Sequence, residues 1–385
     1  MRIDFRAFIF KMVIGVILII IIVNVVDNII KQHDSHIKVK EYTQNEQKMK
    51  EQKTAVIDRE GTTISFVGDI LLASGVGRKI DENGPNYPFE KVKSYLSSSD
   101  LAIGNLESAV AVSGSPMQGK EYTFRAEPKV IGGLKYSGLD ILSLANNHIL
   151  DYGREAFIET LGHIEDSGLN YIGAGEDIDQ AYRPVTVESK GEKVAIFGAS
   201  RVIPSGSWYA TKNNPGVAGA YNTERLIEEI KNAKGNVDYV IVYIHWGTER
   251  ETISNKLQRS LAKTLIDNGA DIIVGTHPHV LQGFEFYKGK LIAYSMGNFI
   301  FTNYNNPTMI LNVVIDKKRI KSAEVIPCMI RSYVPEPISV EKDKMDIYQM
   351  LENRSTNVNI VDGELFEYNS NGSVDESMVD KDAQN

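Results

Sequence analysis

The stretch Ile272-Ile273-Val274-Gly275-Thr276-His277-Pro278-His279 runs from a short apolar segment straight into two histidines that flank a proline. A run this short and this apolar reads as a buried strand, so the imidazoles fall at its carboxyl end. Pro278 disfavours helix and restricts His277 to extended backbone. In an extended segment residues two apart point the same way, so both rings are expected to face one point. The same arrangement recurs on either side. Val240–Ile244 leads into His245-Trp246-Gly247, and Ile141–Leu144 leads into Asn146-Asn147-His148. Two earlier runs end on acids: Ile64–Val67 precedes Gly68-Asp69, and Leu101–Ile103 opens Gly104-Asn105-Leu106-Glu107. Four of the seven histidines lie in these motifs.

Helix-like stretches separate many of these runs. Phe89–Leu96 follows Pro88, a residue suited to a first helical turn. Tyr152–Ser167 stops at Gly168, a good C-terminal cap. Leu226–Ala233 and Leu257–Asn268 repeat the pattern, the second ending at Gly269. Val194–Phe197 adds a further strand. Alternating buried strands and helices predict an α/β layer structure. The last third differs: Phe284–Tyr287, Leu291–Tyr294, Met309–Ile315 and Ala323–Ile326 read as strands without helices between them. A second sheet packed on the first suits that pattern.

In open α/β sheets ligands gather outside the carboxyl ends of the strands. Five such ends here carry Asp69, Glu107, Asn147 with His148, His245, and His277 with His279. Imidazole, amide and carboxylate donors delivered together are what a divalent metal needs. Their N/O character without cysteine suits Mn, Zn or Fe better than Ca, as one or two ions. Taken singly, each has a plainer reading: Asp69 as a turn cap, Glu107 as a helix cap, a histidine as a hydrogen-bonded core group. Asp151 either orients His148 or caps the helix beginning near Tyr152, and the cap is the simpler expectation.

The rest of the chain sets limits. It has 385 residues, 42% hydrophobic and 24% charged, with net charge −8. That is a globular composition, and its acidity points away from nucleic acid as a partner. One cysteine, Cys328, excludes a disulfide framework within the chain. Residues 7–30 would form a helix of about 36 Å, enough to span a bilayer core. Arg2, Arg6 and Lys11 precede its apolar core, which predicts a single-pass anchor at the cell membrane with its N-terminus cytoplasmic and the main domain extracellular. A cleaved signal peptide is the rival, but no small-x-small site follows the apolar core. The expected organisation is therefore cytoplasmic terminus and anchor over 1–30, polar linker over 31–60, folded domain over 61–342, and a C-terminal extension with a disordered tail over 343–385.

The motifs quoted above, with Phe66-Val67-Gly68-Asp69-Ile70-Leu71-Leu72 and Tyr294-Ser295-Met296-Gly297-Asn298-Phe299, resemble those of the CapA/PgsA family of poly-γ-glutamate capsule synthesis proteins. The resemblance implies a calcineurin-like metallophosphoesterase fold: α/β, two packed mixed sheets flanked by helices in four layers. It implies metal ligation by Asp69, Glu107, Asn147, His245, His277 and His279, with His148 as the catalytic histidine. Where the wider pattern has Asp-x-His, this chain has Asp69-Ile70-Leu71, and Leu71 cannot bind metal. Glu107 stands in place of an aspartate. The resemblance further implies an accessory role beside a membrane-embedded poly-γ-glutamate synthase, with a surface metal-dependent hydrolase as the alternative. An acidic polymer or phosphoester would be the ligand. Arg125 and Arg201 are the cations best placed to meet such an anion, against the plainer reading of surface charge.

Overall fold

A computed structural model describes residues 61–302 and 305–368. The expected anchor, linker and tail beyond Tyr368 lie outside the described residues. Among the described residues no helix is long and apolar enough to cross a membrane.

The core is built by strand parity. Alternate residues of a strand face opposite ways, so a strand buried on both faces reads as a continuous apolar run. Ile64, Phe66, Leu101 and Ile103 point into the same cluster as Ile241, Tyr243, Ile272 and Val274. These two groups come from different sheets, so this cluster is the seam between them. The intervening residues face outward. Val67, Ala102 and Leu142 pack with Val76, Leu134, Phe157 and Leu161 of the helices Ser74–Asn83, Val130–Ser137 and Gly153–Ser167. Val240, Val242, Ile244 and Ile273 pack with Leu226, Ile230, Leu261 and Leu265 of Glu224–Lys234 and Lys256–Asp267. The layers therefore run helix, sheet, sheet, helix.

The larger sheet has the order Val358–Val361, Glu364–Glu367, Arg319–Arg331, Pro307–Asp316, Thr62–Ile70, Leu101–Leu106, Ile141–Ser143, Asn170–Ile172. Its last four strands are parallel. The smaller sheet runs Phe284–Tyr287, Lys290–Ala293, Ile272–Thr276, Tyr239–His245, Glu192–Ser200, Val185–Ser189, with a parallel centre and antiparallel edges. Both sheets are thus mixed.

Three sequence expectations are corrected here. The strands of the last third do not form a sheet of their own. Phe284–Tyr287 and Lys290–Ala293 complete the smaller sheet, whereas Pro307–Asp316 and Arg319–Arg331 extend the larger one beside the first strand. The domain boundary expected at 342 falls inside a helix, Glu341–Arg354. That helix buries Ile347, Tyr348 and Leu351 in the seam cluster, and the hairpin Val358–Val361/Glu364–Glu367 joins the larger sheet. The helix expected over Phe89–Leu96 is broken into a 3-10 turn, Tyr87–Phe89, and one helical turn, Lys93–Leu96. Lys256–Asp267 opens with a full capping box between Asn255 and Gln258.

Candidate metal centre

Parity also decides which side chains meet. His245 is two residues beyond Tyr243 and four beyond Ile241, so it continues the seam-facing row of its strand. Asn105 and Glu107 continue the row of Leu101 and Ile103 from the opposite sheet. The carboxyl ends of the two parallel centres therefore deliver polar groups into one space. The Tyr243 hydroxyl donates to the Val67 carbonyl just behind it, tying one sheet to the other. Gly68 permits a second close approach. A Cβ there would stand 1.9 Å from the Gly297 carbonyl oxygen, which instead accepts from Asp69 N–H at 2.9 Å.

The six expected ligands are brought together. Asn147 Oδ1 lies 2.9 Å from His245 Nε2, and Glu107 Oε1 lies 3.6 Å from the same nitrogen. The rings of His245 and His277 are 4.8 Å apart, and those of His277 and His279 5.8 Å. His279 stands 4.0 Å from Glu107 Oε1 through Nε2 and 3.4 Å from Asp69 Oδ2 through Nδ1. One donor atom from each of Glu107, His277 and His279 falls within 4.8 Å of the other two.

The route by which the histidine pair converges differs from the extended segment expected. The strand ends at Thr276, and His277 and His279 have φ of 95° and 59°. Both residues turn in the left-handed region, at a cost on the order of 1–3 kcal/mol each. Pro278 excludes helix as expected, but a turn rather than a strand aims the rings. Asp69 helps hold that turn by accepting from His277 N–H at 3.3 Å.

The donor set fits a divalent cation on observations internal to this chain. Glu107 is fully buried, and among the described residues neither carboxylate oxygen has a hydrogen-bond partner. His277 Nδ1 is likewise buried and unpartnered. A buried carboxylate is costly unless paired, and the nearest nitrogens to this one are those of imidazoles, so the arrangement suits a cation shared with them. Burial, then the neighbouring Asp69, raises the Glu107 pKa well above the ordinary range. Burial lowers His245 strongly and His277 to about 4, leaving both imidazoles neutral, the form that binds metal. Burial also opposes charge on His279, but Glu107 and Asp69 outweigh it and lift its pKa to about 10.

His148 is placed beside the cluster and held differently. Its Nδ1 lies 2.7 Å from Asp151 Oδ2, and its ring packs 4.6 Å from that of Phe124. Asp151 does not cap the following helix, whose N-cap Tyr152 makes no side-chain capping bond. Its carboxylate instead binds His148, Phe124 N–H and the Lys120 ammonium, so the orienting reading replaces the cap. Lys120 also reaches the Asn147 carbonyl and lies 3.1 Å from His148 Nδ1. It stands 5.2 Å over the Trp208 ring, which brings that loop to the site's border. Burial lowers the His148 pKa, so the ring rests neutral.

Two expected anion-binding cations are committed elsewhere. Arg125 Nη1 donates to the carbonyls of Val112, Ser113 and Gly114, and its guanidinium stacks 4.4 Å from the Tyr152 ring centroid. It pins a loop rather than facing the cluster. Arg201 begins next to His245, donating its N–H to that residue's carbonyl, but its guanidinium binds the Ala220 carbonyl and stacks on Tyr221. Leu71 lies in the apolar core, as a residue without donor atoms must.

Three asparagines complete the site and were passed over in the sequence. Asn105 donates to Asp69 Oδ1 at 2.8 Å and accepts from Asn146 at 3.0 Å. Asn146 Oδ1 accepts from the N–H groups of His148 and Ile149, shaping their turn. Asn298 Oδ1 lies 2.8 Å from His279 Nδ1. Each sits within a motif already singled out, one or two residues from an assigned ligand or beside a glycine, which is the only signal the sequence offered.

The family model for the bacterial capsule synthesis protein PGA_cap matches residues 63–303. The chain belongs to that family. It is 33% identical over 304 residues to the capsule biosynthesis protein CapA of Bacillus anthracis, covering 76% of this chain and 74% of that one. It is 33% identical over 308 residues to the PGA biosynthesis protein CapA of Bacillus subtilis, covering 78% and 80%. A probable polyglutamine synthesis accessory protein of Mycobacterium tuberculosis is 29% identical over 210 residues, covering 52% of this chain and 55% of that one. The matched region of the family contains every residue of the cluster.

Proposed function

We propose that this chain is an accessory protein of poly-γ-glutamate capsule synthesis, anchored in the cell membrane by residues 7–30, with a domain of metallophosphoesterase-like, calcineurin-like fold outside it. The domain extends past 342 to at least Glu367. The observation that carries the site reading is Glu107: a buried carboxylate that makes no hydrogen bond among the described residues and lies within reach of His277 and His279. Family membership carries the capsule role, since the relatives are named for capsule and polyglutamate synthesis. The partner of such a protein is a membrane-embedded synthase, and its ligand an acidic polymer.

Asp69, Glu107, Asn147, His245, His277 and His279 would hold Mn, Zn or Fe. A bound divalent ion supplies Lewis-acid polarisation of an anionic oxygen. Asn105 fixes the Asp69 carboxylate, and Thr276 Oγ1, 3.0 Å from His245 Nδ1, fixes that ring. Such outer bonds orient ligands.

A second reading, a surface metal-dependent hydrolase, is favoured by one specific observation, the Asp151–His148 pair. Asp151 holds Nδ1, which leaves Nε2 for proton transfer. A neutral resting ring accepts a proton first and returns it later, so His148 starts as general base rather than general acid. The test uses the full chain in detergent with Mn²⁺ or Zn²⁺, a generic phosphodiester and poly-γ-glutamate. Turnover that falls by about 10²–10⁴ in His148→Ala with metal retained supports the hydrolase. Polymer binding without turnover supports the accessory role. Neither binding nor turnover refutes both.

A further inference from the structure

We propose that Asn298 is the positioning residue that fixes the His279 ring for cation binding. This rests on the metal reading above. Asn298 opens the short strand Asn298–Ile300, which pairs in parallel with the first strand so that Asn298 stands opposite Asp69. The pairing is enforced by backbone. Asp69 N–H donates to Gly297 O, and Gly68 has no Cβ to prevent that contact. Asn298 is 1% exposed, and its Oδ1 lies 2.8 Å from His279 Nδ1.

A carbonyl oxygen only accepts, so Nδ1 carries the hydrogen in this bond. Nε2 is then the nitrogen that gives up its proton to a cation, and it is the one that faces Glu107, at 4.0 Å. Asp69 Oδ2, 3.4 Å from the same Nδ1, is the more distant acceptor. Asn298 is held in this place at a cost, because its own buried Nδ2 has no hydrogen-bond partner among the described residues. Its position therefore does not serve its own hydrogen bonding. His277 has no such holder, its Nδ1 being unpartnered. The Asp69 side of the cluster also has Leu71 turned into the apolar core, so His279 is the imidazole on which that side depends.

The experiment is a double-mutant cycle on the full chain, with Co²⁺ and Mn²⁺ affinity measured by titration calorimetry and the Co²⁺ visible spectrum recorded. Asn298→Leu removes the acceptor and is expected to weaken binding about 10–100-fold and to alter the Co²⁺ spectrum. Asn298→Asp keeps an acceptor and is expected to bind close to wild type, which separates positioning from folding. In a His279→Ala background Asn298→Leu should weaken binding no further. Wild-type affinity in Asn298→Leu, or an equal loss in both backgrounds, overturns the inference while the metal reading stands. A wild-type chain that binds neither ion sinks the metal reading itself, and this inference with it.

Discussion

The two ends of the strand Ile272–Thr276 hold opposite solutions to one problem. At its start stands Asp271, 2% exposed, with Lys234 at 2.5 Å, Lys290 at 2.6 Å and the Val240 N–H at 2.8 Å. Beyond its far end, His277 and His279 lie against Glu107, which is fully buried and makes no side-chain hydrogen bond among the described residues. The fold neutralises the first carboxylate with two lysines, whereas the second meets only imidazoles, which can share a cation with it. A buried carboxylate is thus a structural element at one end of a strand and a binding element at the other, and the partner list distinguishes them.

The largest expected effect separates the two ends by metal. In wild type, an ion at a hundred times its Kd should stabilise the domain by about 2.7 kcal/mol, and Glu107→Gln should abolish that increment. The metal-free variant should be at least as stable as wild type, because glutamine replaces a carboxyl whose charged form burial already opposes. Thermal melts with Mn²⁺ and with chelator measure both. Next in size is Asp271→Asn, which disturbs a satisfied group. It should cost about 1–3 kcal/mol in urea unfolding and leave the metal increment intact. If Asp271→Asn altered metal affinity instead, the two ends would not be independent.

The smallest effect concerns a third carboxylate, Glu159. It binds the Ser113 hydroxyl and the N–H groups of Val112 and Ser113, anchoring the loop that carries Lys120 toward His148. The Ser113 hydroxyl, opposed by partial burial and helped by the two N–H bonds, lowers its pKa to about 2 from an ordinary 4.5. A depressed carboxylate stabilises the fold above its unfolded pKa and loses that contribution as pH falls toward the folded one. The stability difference between wild type and Glu159→Gln should therefore be full above about pH 4.5 and shrink below it. Denaturant midpoints at pH 7, 5 and 3 check the sign.

Much of this architecture was legible because it is local. Short apolar runs ending in donors gave the strands and their functional ends, and Gly168 gave the close of Gly153–Ser167, its φ of 80° matching the expected cap. What escaped is long-range. That Phe66 pairs with Leu311, and Ile272 with Leu291, is not written in either segment alone, so the last third reads as a separate sheet. The helix Glu341–Arg354 was missed because its polar surface dilutes a periodic signal that only three buried residues carry. At the site, the ligand types were legible and their support was not. Asp151 reads more simply as a cap until its partners are seen, and Asn298 is distinguished from any loop asparagine only by the Nδ1 it meets. Pro278 marked a break from helix correctly, but the left-handed backbone of its two neighbours depends on Asp69, more than two hundred residues earlier, accepting from His277.

The most direct test is anomalous diffraction from crystals of this chain equilibrated with Mn²⁺, recorded on either side of the manganese edge. The account predicts a peak bonded to Glu107 and shared by the histidines of the cluster, with Asp271 bare. Saturating Mn²⁺ that leaves no peak among Glu107, His245, His277 and His279, or that appears only on surface carboxylates, would contradict it.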